Sequence, residues 1–284
     1  MLCFDEEALD LQNNEQLCMT SSNVPLIILS TGRTGTNYLS QLLQSQGLDD
    51  LSHQGKYSRL INILGNVGLC LKSDLLQKRI LPKLMEKTGR SVYTADPLLS
   101  VPLTLIIPSQ TSTQKIKVLH IVRDPRDFVT SFMNWRRQKL RRMFLHHCVP
   151  FWQPNPWGVG NTDLINYIKM SKFEHFCWIW AYKNSLFEKK WNKRGIDYLR
   201  IRLEDISNQT NTSKMLSSFL GLQEFCFPSE LKQNQSVNKS DNAYFPKWNH
   251  WTKQQANNLY KHCAQLMEQY GYGLESEWQK KIQG

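Results

Sequence analysis

Four apolar residues, Leu26 to Leu29, run straight into a polar loop punctuated by Gly32 and Gly35. Beyond the loop, Tyr38, Leu39, Leu42 and Leu43 recur at helical spacing. The pattern predicts a strand, a tight turn and a helix N-terminus in direct succession. Lys117–Trp135 repeats it. Val118 to Val122 read as a short strand interrupted only by His120. Arg123-Asp124-Pro125-Arg126-Asp127 then breaks the strand, with Asp124 suited to an N-cap and Pro125 to a first helical turn. Phe128, Val129, Phe132, Met133 and Trp135 predict an amphipathic helix after it.

Elsewhere, residues 38–46, 58–64 and 171–191 read as helical, the last burying Phe173, Phe176, Cys177, Trp180 and Leu186. Pro82 is best placed near a helix start. Tyr198–Leu203 reads as a strand followed by a polar turn. The last helix predicted is 252–270, with Leu259, Cys263, Leu266, Met267 and Tyr270 on one face. Residues 143–162 form an irregular Pro- and Trp-containing stretch, read first as packing and second as a wall of an acceptor pocket. Residues 1–22 are expected to be a flexible lead-in, and 23–284 a single domain.

The two strand–loop–helix units carry the chemistry. Gly32 and Gly35 let backbone approach a ligand, and Arg33 adds a fixed positive charge. A helix N-terminus behind such a loop suits a phosphate. A Walker A loop is excluded, since only Arg33 and Thr34 separate the glycines and no Lys-Ser/Thr pair follows. A dinucleotide fingerprint is excluded too. A plain turn with glycines for geometry remains an even alternative for the loop alone. In the second unit, Arg123 at the strand end and Ser131 early in the helix can converge on another phosphate. Both loops are expected at the carboxyl edge of a parallel sheet.

Arg33-Thr34-Gly35-Thr36-Asn37-Tyr38 and Arg123 through Ser131 resemble the two nucleotide-binding signatures of the sulfotransferases that use PAPS, 3′-phosphoadenosine 5′-phosphosulfate. Weaker echoes are Tyr198–Asp205, Phe245-Pro246-Lys247-Trp248 and Tyr270-Gly271-Tyr272, so the resemblance covers roughly residues 24–273. It implies a three-layer α/β sandwich, a central and mostly parallel sheet flanked by helices, of the P-loop NTPase-like sulfotransferase fold. It implies transfer of a sulfuryl group from PAPS to a hydroxyl or amine, leaving adenosine 3′,5′-bisphosphate (PAP), with no metal. Arg33 then matches the loop cation that contacts the bridging oxygen and 5′-phosphate. Thr34, Gly35, Thr36 and Asn37 bind the 5′-phosphate, Tyr38 stacks on adenine, and Arg123 and Ser131 bind the 3′-phosphate.

The general base is expected to be His53, with Asp96 as second candidate and His120 as structural. Gln54 stands where some bacterial members carry a Glu, and the Arg-Lys-Gly loop of cytosolic eukaryotic members is absent, with Asn238-Lys239 as a partial substitute. Two alternatives stay open: a non-catalytic relative that binds PAPS or PAP, and a P-loop-like nucleotide phosphotransferase. The second would need a Walker lysine and a metal carboxylate.

Composition narrows the setting. No apolar run approaches a membrane span, and the start MLCFDEEALDLQNNEQ is acidic where a signal peptide is basic. Seven cysteines without metal-ligand spacing read as reduced thiols, and with neither a span nor a signal the expected location is the cytoplasm. That also separates the chain from membrane-anchored Golgi sulfotransferases. The sequons at Asn208, Asn211, Asn234 and Asn238 read as ordinary polar loop. The net charge of +11 fits an anionic donor. The run Arg136–Arg142 reads first as a solvated helix face, second as a lure for an acidic acceptor and third as a nucleic-acid contact. No nucleic-acid partner is expected. The acceptor class, whether carbohydrate, lipid-linked hydroxyl or small metabolite, stays open.

Overall fold

The structure is a computed structural model that describes residues 24–47, 57–86, 93–107, 116–140, 144, 151–159, 164–193, 196–206, 209–222 and 244–283. The lead-in 1–22, His53, Gln54, three of the four sequons and Asn238-Lys239 lie outside them.

Strand β1 (Leu26–Ser30) is buried at every position. Alternate residues serve opposite faces. Leu26 and Ile28 pack with one apolar cluster, Ile27 and Leu29 with another. That two-sided burial is what a central parallel strand requires. β2 (Tyr93–Thr94), β3 (Lys117–Val122) and β4 (Asp197–Arg202) complete a 4-stranded sheet of order β2-β1-β3-β4. Every pairing is parallel, with Leu26 opposite Tyr93 and Lys117, and Lys117 opposite Asp197. The strands therefore end together at one carboxyl edge.

Helices cover both faces. α1 (Thr36–Gln44) lies on one face, where Leu39, Leu42 and Leu43 join Leu119, Ile121 and Ile201. α2 (Ser58–Cys70), α3 (Leu81–Glu86) and α4 (Ser100–Ile106) lie on the other, with Ile61, Leu81, Leu99 and Leu103 against Val118. The expected three-layer α/β sandwich is present. α5 (Pro125–Arg137) follows β3, and α6 (Leu164–Lys169) precedes the long α7 (Lys172–Trp191). The short α8 (Leu203–Ile206) and α9 (Gln209–Leu220) follow β4. α10 (Lys253–Tyr270) and α11 (Ser276–Gln283) close the described chain. A third cluster joins α5, α7, α10 and α11 through Phe132, Phe176, Trp180, Met267 and Trp278.

Three expectations need correction. Helix 252–270 is followed by α11, a polar segment whose one strong anchor, Trp278, is fully buried. Phe187, not Leu186, is the buried residue near the end of α7. Pro82, by contrast, sits second in α3, near a helix start as expected, and α3 continues from a π-helical stretch, Leu76–Ile80. Proline cannot supply the amide that a continued α-ladder needs, and the wider π-turn absorbs the break. Strand β4 also ends one residue early, because Leu203 opens α8.

The segment 151–159 is held to α2. Asn62 Nδ2 donates to the Trp152 carbonyl at 2.9 Å, and Asn66 Nδ2 donates to the Phe151 carbonyl at 2.9 Å. Its Trp152 is buried while Trp157 is exposed, so packing is the observed role of the first ring. Cys70, Cys177 and Cys263 are free thiols.

Candidate active site

The first loop is held in a conformation that few sequences tolerate. Gly32, Arg33 and Gly35 all have left-handed backbone, with φ of 85°, 57° and 69°. Glycine adopts that region freely, whereas Arg33 does so at a cost. Gly35 has a second reason to lack a side chain: a Cβ there would stand 2.7 Å from Leu203 Cδ1. Gly35 caps α1, which has no side-chain cap, so its first-turn amides have no intrahelical acceptor. Thr31 and Thr34 are buried, and neither hydroxyl has a hydrogen-bond partner. An unsatisfied buried hydroxyl is unfavourable unless a ligand pairs with it. The loop therefore fits an anion with several acceptor oxygens.

The second loop meets the first directly. Arg123 Nη1 donates to the Arg33 carbonyl at 2.7 Å, and Arg33 Nε donates to Ser131 Oγ at 3.0 Å. Arg33, Arg123 and Ser131, three of the predicted phosphate-binding residues, are thus brought together at the carboxyl edge. Asp124 is the N-cap expected, its Oδ1 accepting from the Arg126 amide at 2.8 Å. Tyr38 is half-buried and packs beside the cluster that holds Leu39.

Sequence reasoning missed how the second loop is braced. Arg126 is 2% exposed. It forms ion pairs with Asp124 and with Glu275, the latter at 2.7 Å. Its guanidinium lies 4.7 Å from the Trp248 ring centroid and 5.1 Å from that of Trp278. Burial works against the charge, but the bonds to Asp124 and Glu275 outweigh it and raise the Arg126 pKa. Those bonds in turn hold the Glu275 carboxyl below its ordinary range. Glu204 Oε1 accepts from the Asp124 amide at 3.0 Å, and its Oε2 accepts from the Tyr272 hydroxyl at 2.7 Å. Burial, then the Glu204 charge, pushes the Tyr272 pKa up. The signal available was the three weak echoes, since Glu204, Trp248 and Tyr272 all belong to them.

Of the base candidates, His53 is outside the described residues. Asp96 is buried two residues past β2, at the same edge as the loops. Its Oδ1 accepts from the Leu98 amide at 3.0 Å, and its carbonyl from the Leu99 amide at 3.0 Å. The helix that this turn opens is pinned to the phosphate loop, because Ser100 Oγ accepts from the Ser30 amide at 3.1 Å. His120 is structural. Its Nε2 faces Asn184 Oδ1 at 2.9 Å, an atom that only accepts, and its Nδ1 faces the Tyr198 hydroxyl at 2.6 Å. Burial pushes its pKa down to about 4, so it stays neutral.

The basic run is only partly a solvated face. Arg137 and Lys139 are exposed, but Arg136 is buried. No cluster of metal-ligating side chains occurs among the described residues, and no helix among them is long and apolar enough to cross a membrane.

No functionally curated protein matches the sequence. A sulfotransferase from Alicyclobacillus acidocaldarius is similar in structure, with TM-score 0.46 and 13% identity over 90% of this chain and 98% of that one. The mouse sulfotransferase SULT7A1 complexed with PAP gives TM-score 0.45 and 14% identity over 91% of this chain and 88% of that one. The sequence pattern of the sulfotransferase domain family matches residues 24–271, so the chain belongs to the sulfotransferase domain family.

Proposed function

We propose that this sulfotransferase takes its sulfuryl group from PAPS and passes it to a hydroxyl acceptor without a metal ion. The observation that carries this is the contact between loops, Arg123 to the Arg33 carbonyl and Arg33 to Ser131. Two cationic side chains and one hydroxyl so close together suit a nucleotide with two separated phosphates. The buried, unpartnered hydroxyls of Thr31 and Thr34 supply donors on the 5′ side, next to the open amides of α1. When bound, PAPS supplies the activated sulfuryl group, and PAP is the by-product.

In this reading Arg33 releases Ser131 and turns to the 5′-phosphate and its bridging oxygen. A guanidinium there stabilises developing charge but does not give up a proton. Thr34, Gly35, Thr36 and Asn37 hold the 5′-phosphate, and Tyr38 offers a ring to the adenine. Arg123 and Ser131 hold the 3′-phosphate. Asp96 and His53 are the two proposed bases. Asp96 is supported by its turn being tied through Ser100 to the start of the loop. We assign residues 23–284 to one catalytic domain behind the 1–22 lead-in. The free buried thiols Cys70, Cys177 and Cys263 fit a cytoplasmic setting.

The test is incubation with sulfur-labelled PAPS and a library of hydroxyl acceptors. Label transfer to at least one acceptor is expected. Tight PAP binding with no transfer to any acceptor would favour the non-catalytic alternative. Comparing Asp96→Asn with His53→Ala then separates the bases. The variant that lowers kcat while leaving PAP affinity in place marks the one in use.

A further inference from the structure

Helix α5 carries two buried arginines, and they differ in one respect. Arg126 is paired with two carboxylates. Arg136 is only 9% exposed, yet its Nε and Nη1 are buried with no hydrogen-bond partner. Its neighbour Arg137 is a like charge, and burial together with Arg137 pulls the Arg136 pKa down. A folded chain pays for such a group unless something outside the chain completes it.

Its place says what that something touches. Phe132 lies one turn earlier on α5, and helical side chains lean toward the N-terminus, so Arg136 covers the Phe132 turn. The Phe132 ring lies against the phosphate loop, its Cζ 3.6 Å from where a Cβ on Gly32 would stand. The same ring stacks on Phe176 with centroids 5.1 Å apart. Trp180 Nε1 donates to the Arg123 carbonyl, so α7 runs antiparallel to α5 and its first turn lies toward Arg136. That turn holds His175, whose Nε2 is also buried and unpartnered. Gln153 Oε1, in the segment whose Pro154 backbone bonds His175, is another such atom. Unsatisfied polar atoms thus gather on the elements that border the Phe132–Phe176 stack.

Resting on the sulfotransferase reading above, we propose that Arg136 recognises an anionic group of the acceptor. The preferred acceptor is then a hydroxyl compound that also carries a carboxylate, phosphate or sulfate ester. The planar fork of donors suits those groups. Exposed Arg137 and Lys139, just beyond, add positive potential that draws anions to this side.

Two probes of nearly the same shape but different charge provide the test: 4-hydroxyphenylacetate and its neutral amide, 4-hydroxyphenylacetamide, titrated calorimetrically with and without PAP. The wild-type protein should bind the acid about 10- to 100-fold more tightly, the range expected for a hydrogen-bonded charge. Arg136→Gln should erase that difference, and Arg136→Lys should keep part of it. Arg136→Leu should raise the melting temperature of the ligand-free protein, because it removes an uncompensated buried charge. Equal affinities in the wild type, or a preference for the acid that survives Arg136→Gln, would overturn the proposal. A lower melting temperature for Arg136→Leu would overturn it as well, by showing that the guanidinium supports the fold. A wild-type protein that prefers the acid but neither binds PAP nor transfers sulfate keeps the anion site and removes the sulfotransferase reading instead.

Discussion

The two signatures meet, but they are finished to different degrees. The Gly32–Asn37 loop keeps left-handed backbone at three positions, two buried hydroxyls without partners beside it, and helix amides without a side-chain cap. The Asp124–Arg126 turn leaves little open. Its cation has two carboxylates and two indole rings, and its Asp124 amide has Glu204. One loop stores unmet hydrogen-bonding capacity for a ligand, and the other spends its polar groups on bracing. The difference teaches that Arg123 and Arg126, three residues apart, have opposite duties. Arg123 reaches across to the phosphate loop, while Arg126 ties the start of α5 to the start of α11 through Glu275 and Trp278.

The sharpest way to break that contrast is to remove Arg126. Arg126→Ala leaves the Asp124 carboxylate without its buried partner, and such a loss costs about 3–5 kcal/mol. Denaturant unfolding should show that loss, and Arg126→Lys should recover little of it, because an ammonium lacks the fork that serves two carboxylates. A variant as stable as the wild type would end the claim that this arginine braces the site.

Arg123→Ala should do the reverse, with a modest change in stability and a large one in nucleotide binding. Losing a charge-assisted phosphate contact costs about 1.5–3 kcal/mol, or roughly 10- to 150-fold in Kd. The loss should appear for PAP and be much smaller for adenosine 5′-phosphate, which lacks the 3′-phosphate. Equal loss for both nucleotides would remove the 3′-phosphate assignment.

The glycines test the loop itself. Gly35→Ala puts a non-glycine residue at φ 69° and drives its Cβ toward Leu203. Left-handed backbone alone costs about 1–2 kcal/mol. Gly32 has a similar φ but faces only Phe132 at an ordinary 3.6 Å, so Gly32→Ala should cost less in stability. Melting temperatures in the order wild type, Gly32→Ala, Gly35→Ala are expected; equal values would mean that Leu203 simply moves aside.

Much of this was legible in the sequence because it is local. Strand, loop and helix follow one another within Leu26–Gln44 and again within Lys117–Arg137, so apolar periodicity and the Asp-Pro cap locate both units. Arg33, Arg123 and Ser131 could be matched because their neighbours in sequence are also their neighbours in function. The bracing role of Arg126 was not legible, because its partner Glu275 lies some 150 positions on. Arg136 was hidden for the same reason. In a run of basic residues the charges look alike, and which one turns inward depends on the packing of α5 against α7. The α11 helix was missed because a single tryptophan, Trp278, anchors it, too little for a hydrophobic period.

Acid gives the smallest effect and the finest test of the clamp. The Glu275 carboxyl is held below its ordinary 4.5 by its bonds to Arg126. A carboxyl whose folded pKa is depressed stabilises the fold above its unfolded pKa and loses that contribution as pH falls through the folded one. The clamp should therefore be at full strength near neutral pH and weaken below about pH 4.5. Glu275 is half exposed, its side chain 51% accessible, so solvent screening keeps the contribution below about 1 kcal/mol. Glu275→Gln should lower the melting temperature slightly at pH 7 and converge with the wild type as the pH is taken well below 4.5. The background slope from the buried, neutral His120 is common to both proteins and cancels in the difference. If the two curves stay parallel through that window, Glu275 contributes shape alone, and the charge of Arg126 is balanced by Asp124.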